Sequence, residues 1–169
     1  MALKDFNWKT LIAIGLLAGL IQVGTGVAMY VAGVYFAPWS ILVSVLVLLL
    51  CIVFGMRWYR DSAQNGQITY GQALMVGIVI SVSTGMVYAV YNIVSIQFIY
   101  SRFLEELISL NVAGAPATER TPEFIAAVRE RVTANTIALA NLIRLSVVGT
   151  ILSVFASMIL KRRHNREVV

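Results

Sequence analysis

Residues 10–36 read TLIAIGLLAGLIQVGTGVAMYVAGVYF, and no charged side chain interrupts them. A helix needs about 20 apolar residues to cross the hydrocarbon core of a bilayer. This stretch exceeds that and leaves room for tilt. A secretory leader has an apolar core of only about 7–15 residues, so 10–36 reads as a permanent span. A second span covers 39–56, through SILVSVLVLLLCIVFGM. Only Ala37-Pro38-Trp39 lies between the two. Proline lacks the N–H that would continue the first helix and suits the first turn of the next, so a tight antiparallel hairpin is expected. Further spans follow at 70–98 and 142–160.

Composition agrees with this reading. Of 169 residues, 59% are hydrophobic and 12% charged, against about 45–50% and about 25% in soluble domains. A soluble core of this size cannot hide so much apolar surface, and the chain reads as one transmembrane domain. The lone Cys51 and lone His164 allow no internal disulfide and supply too few ligands for a zinc centre. No cofactor is expected.

Orientation follows the lysines and arginines next to the spans. With four spans, both termini and the 57–69 connection share one side. That side holds Lys4, Lys9, Arg57, Arg60, Lys161, Arg162, Arg163 and Arg166. On the other side, Arg102, Arg120, Arg129 and Arg131 are balanced by Glu105, Glu106, Glu119, Glu123 and Glu130. Both termini are therefore expected to be cytoplasmic. The net charge of +5 is then a topological signal, not the mark of a nucleic-acid partner. In RWYRDSAQNGQITYGQAL (57–74), Arg57, Trp58, Tyr59 and Arg60 read as headgroup anchors, and Asn65-Gly66 as a turn. The tail KRRHNREVV, with Lys161, Arg162 and Arg163, is expected to touch anionic lipid.

The 99–141 segment is helical by pattern. Phe103, Leu104, Leu107, Ile108 and Leu110 recur at helical spacing, and AGAPAT then interrupts them. TPEFIAAVRERV restarts the helix, with Thr121 as N-cap and Pro122 at the first position. Nothing in the sequence breaks helix from Pro122 to Lys161. The expected architecture is all-α: an integral-membrane four-helix bundle whose third and fourth helices extend outside the membrane as an amphipathic hairpin with its tip at 112–121. The alternative is that this hairpin lies flat in the interface.

Helices in lipid associate through small residues. Span three carries Gly77, Ser81, Gly85 and Ala89 at four-residue spacing. Span one carries Gly15 and Gly19, and span four Gly149, Ser153 and Ser157. These seams serve packing within one chain or self-association. Span two, nearly all large and aliphatic, is expected to face lipid or a partner more fully.

Polar groups within spans are functional candidates by default. No aspartate or glutamate lies deep in any span, which argues against a proton-coupled carboxylate. Arg144 is the only charge inside a span boundary. It lies at a depth similar to Tyr88, Asn92 and Asn141, and these four form a candidate polar cluster for an anion or a lipid headgroup. The competing reading is an interfacial arginine reaching toward headgroups. No nucleophile–base pair exists, since the one histidine is in the tail, so no enzyme is expected.

The tight first hairpin, the stretch YRDSAQNGQITYGQALMVG, the run into FLEELI, the acidic-basic helix before span four and the basic tail resemble a bacterial family of four-span membrane proteins known as domain of unknown function 4199. The resemblance covers nearly the whole chain, and YRD…G.I.YGQAL is its most specific part. It implies a four-span fold and an inner-membrane address, with no activity and no catalytic residues. Two functions stay open. One is a structural or accessory protein that binds another protein. The other is a small oligomeric transporter or channel, whose path Gln22, Thr25, Ser81, Thr84, Asn92 and Arg144 could line.

Overall fold

The computed structural model describes residues 7–64, 66–98 and 101–160. The basic tail with Lys161, Arg162 and Arg163, and also Lys4 and Asn65, lie outside the described residues. Among the described residues four helices are long and apolar enough to cross a membrane: α1 (Trp8–Val31), α2 (Ser40–Ala63), α3 (Tyr70–Phe98) and, late in the chain, α6 (Ala134–Leu160). Two shorter helices, α4 (Ser101–Gly114) and α5 (Pro122–Arg131), lie between α3 and α6. No strand occurs among the described residues. The chain is a multi-pass membrane protein, and its apolar outer surface is what a bilayer covers: Leu20, Leu42, Phe54, Val90, Phe155 and Ile159 are all exposed.

Small residues set the packing. A Cβ added at Gly77 would collide with Ser153 and Met56, one at Gly149 with Ser81, and one at Gly85 would crowd Leu142 and Ser146. The order of these pairs, rising along α3 and falling along α6, makes the two helices antiparallel. Gly15 meets Ser83 and Gly19 meets Val87, so α1 and α3 run parallel. The small-residue faces of α1, α3 and α6 are thus used inside one chain. α2 contributes a buried stripe of Ser44, Leu48, Ile52, Met56 and Tyr59. A smaller share of α6 than of α2 is buried, so α6, not α2, is the span most open to lipid.

Three boundaries differ from those expected. The first helix stops at Val31, not Phe36. Gly33, at φ +70°, donates to the Tyr30 carbonyl at 3.0 Å, and Val34 donates to Met29 at 2.9 Å. This is the Schellman arrangement, which uses the left-handed freedom of glycine to satisfy the last carbonyls. The connection to α2 is therefore 32–39, not 37–39 alone. Next, α2 runs through to Ala63 and carries Arg57 and Arg60 on a helix. Its Tyr59 is no headgroup anchor: it is fully buried, and its hydroxyl accepts from the Asn7 backbone N–H at 3.1 Å. Finally, the helix expected from Pro122 to Lys161 breaks at Val132-Thr133. The Thr133 N–H donates to Thr136 Oγ1 at 2.9 Å while Thr133 Oγ1 accepts from the Thr136 N–H at 3.3 Å. This reciprocal cap starts a new helix.

The same device opens α3. Thr69 N–H donates to Gln72 Oε1 at 3.0 Å, and Thr69 Oγ1 accepts from Gln72 N–H at 3.3 Å. Just before it, Gly66 adopts φ +81° and Ile68 is buried. The pattern G-x-I-T-Y-G-Q therefore encodes a turn, an anchor and a capping box.

Adding volume at Gly149 should separate α3 from α6. Gly149→Val is expected to cost about 1–3 kcal/mol, typical of overpacking, and to lower the thermal midpoint in detergent. Gly24→Val has nothing within 4 Å to strike and should leave the midpoint nearly unchanged. Equal effects would contradict this packing.

Candidate polar cluster at one end of the bundle

The end of the bundle where α1 stops and α6 starts is built from aromatic residues. Tyr35 and Phe36, in the 32–39 connection, meet Phe103 of α4 at ring-centroid distances of 5.3 and 5.4 Å, and Tyr30 meets Phe103 at 5.9 Å. Phe103 is buried by these contacts. The early stop of α1 is what frees Tyr35 and Phe36 to fold over the helix ends. Reading 10–36 as one continuous span hid this group, although Ala32-Gly33 carried the signal for the stop.

Beneath the aromatic group is a cavity of about 430 Å³. Arg144 and Asn141 of α6, Ser40 and Ser44 of α2, and Tyr88 of α3 supply its polar lining. Arg144 is exposed and Asn141 half-buried. Among the described residues Arg144 has no ion-pair partner, and no carboxylate lines the cavity. Arg144 lies ten residues into α6, or roughly 15 Å from its start at 1.5 Å per residue.

Asn92 does not join this group. It lines a separate pocket of about 20 Å³, shared with Tyr30, Tyr91 and Ser95. Tyr88, Tyr35 and Phe103 stand between the two spaces and line both, with the Tyr88 hydroxyl 3.5 Å from that of Tyr35. The sequence-derived cluster is therefore divided: Tyr88, Asn141 and Arg144 share one cavity, and Asn92 sits behind Tyr88. Tyr88 and Asn92, four residues apart, share a face of α3. The register that sets Gly77 against Ser153 and Ser81 against Gly149 carries Asn92 past the level of Arg144, and that register is not readable from the chain.

The other polar candidates are placed by local bonding. Gln22 Nε2 donates to Ser44 Oγ and ties α1 to α2. Thr25 Oγ1 donates to its own helix at the Ile21 carbonyl, 2.9 Å away. Ser81 Oγ does the same to Gly77 at 2.7 Å. Gln22 Oε1, Thr84 Oγ1 and Asn92 Nδ2 are buried without a hydrogen-bond partner among the described residues.

In the helices between α3 and α6, Arg120 donates to the Ala113 and Ala115 carbonyls at 2.9 and 3.0 Å and closes the end of α4. Thr121 caps α5 by accepting from the Phe124 N–H at 3.2 Å. Arg129 and Glu105 pair at 3.1 Å between α5 and α4. Both side chains are largely exposed, so this bridge contributes at most about 1 kcal/mol.

A family model described as "Protein of unknown function (DUF4199)" matches residues 13–162. No curated protein and no solved structure gives a match.

Burial makes Asn92 sensitive to charge. Asn92→Asp would put a carboxylate in a space without a cation, and charges of this kind cost about 2.5–3.5 kcal/mol within a span. It should lower the thermal midpoint sharply. Asn141→Asp, half-buried beside Arg144, should be tolerated much better, and a reversed order in unfolding experiments would contradict this geometry.

Proposed function

We propose, from the premise that this chain belongs to the DUF4199 family, that it is an accessory membrane protein whose four spans hold a helical cap at one face for a partner protein. The supporting observation is α5. It buries none of its residues fully: Phe124, Val128 and the following Val132 on one side of it are only half-buried, and Ile125 beside them is 36% exposed. A helix of ten residues does not persist in water by itself, so this side calls for cover. Its polar side mixes Glu123, Arg129, Glu130 and Arg131. Helices that lie on lipid are rich in lysine and arginine there. A mixed-sign surface suits a protein surface better.

The distribution of basic residues supports an inner-membrane address with both termini cytoplasmic and α4–α5 projecting on the opposite side as a hairpin. We assign no enzymatic role, no cofactor and no nucleic-acid partner. The second reading, a small oligomeric transporter or channel, draws support from the unpartnered polar atoms of Gln22, Thr84 and Asn92. Against a path through one chain stands the layer of Leu11, Leu48, Ile52, Met56 and Ile80, all buried. Such a path would have to run between copies.

Native mass spectrometry of a tagged full-length copy, extracted in its own lipids, separates these readings. A stoichiometric foreign polypeptide that Ile125→Glu releases, with the fold intact, is expected for the accessory role. A pure homo-oligomer would favour transport instead, and a lone monomer would remove both.

A further inference from the structure

The geometry points to an acidic-phospholipid site in the cavity between α2 and α6, with Arg144 as the headgroup ligand. It does not depend on a protein partner and rests only on the membrane-spanning fold. Three features carry it. First, Arg144 has no ion-pair partner among the described residues, and no carboxylate lines its cavity. A guanidinium is always charged, and its planar donors match a phosphate with two parallel hydrogen bonds. Second, Asn141 and Ser40 share the cavity. They offer the neutral donors and acceptors that a phosphodiester and a polyol headgroup use.

Third, the remaining walls include Phe36, Ile41, Phe103, Leu107 and Ile137. A soluble anion has no use for them, whereas the glycerol backbone and upper acyl chain of a phospholipid do. Ile41 and Arg144 are also exposed, so the cavity reaches the surface on α2 and α6. Beside it on α6, Leu139, Ile143 and Val147 form an exposed apolar row along which an acyl chain can lie. About 430 Å³ holds a headgroup with its glycerol but not a whole lipid, so the tails must remain in the bilayer. A single guanidinium between spans can hold a phosphodiester by this chemistry.

The test uses the full-length protein in nanodiscs of phosphatidylcholine with a minor share of phosphatidylglycerol. Lipids that stay bound are counted by native mass spectrometry. Wild type should retain phosphatidylglycerol about fivefold above its share, the order expected of one favourably placed arginine. Arg144→Gln should erase that enrichment, Arg144→Lys should keep part of it, and Arg129→Gln, remote from the cavity, should keep all of it. Wild type needs no variant to be informative: retention of the two lipids in proportion to their supply overturns the site. Enrichment that survives in a folded Arg144→Gln also overturns it. So does displacement of phosphatidylglycerol by millimolar-range glycerol 3-phosphate, because the apolar walls would then contribute nothing.

Discussion

The close approach of α3 and α6 is the contact on which the rest of the bundle depends. Lipid tails are as apolar as leucine, so no hydrophobic force drives one span onto another, and packing with hydrogen bonding must hold them together. Gly77 against Ser153, and Ser81 against Gly149, bring the backbones near enough for that. The serines fit because each hydroxyl turns back onto its own helix: Ser81 donates to the Gly77 carbonyl and Ser153 to Gly149. No polar atom of these serines is left facing hydrocarbon. α1 then joins α3 through Gly15 and Gly19, and the leucine and isoleucine stripe of α2 fills the remaining side.

The small-residue contacts run from Gly77 to Gly85 on α3. One turn further, Tyr88 is buried, with its hydroxyl against Gly26 of α1 and 3.5 Å from that of Tyr35. At this end the aromatic connection from α1 meets Phe103, and the 430 Å³ cavity opens between α2 and α6. Tyr35, Tyr88 and Phe103 line both that cavity and the pocket of Asn92.

Much of this was legible in the chain. Four spans, the shorter helices α4 and α5 and the Thr121 cap all rest on periodicity, capping chemistry and transfer energy, which are local. The small-residue spacing on α3 marked a packing face without saying what would meet it. Other signals were present and weaker. Ala32-Gly33 encoded the stop of α1, and Thr69-x-x-Gln72 and Thr133-x-x-Thr136 encoded helix starts. Each is a two-residue cue inside a long apolar or polar run, where hydropathy dominates the reading.

The sequence by itself determined that this protein is an all-α membrane protein of four spans, because the cost of leaving backbone and charge in hydrocarbon admits no other arrangement of these residues. Only the tertiary structure decided which glycine faces which serine, that Tyr59 is buried rather than anchored at the surface, and that Arg144 shares a cavity with Tyr88 and Asn141 but not with Asn92. These depend on the rotation and register of one helix against another. Depth in the membrane can be counted along a chain at 1.5 Å per residue, but rotation is set by contacts between residues far apart in sequence, such as Gly77 with Ser153.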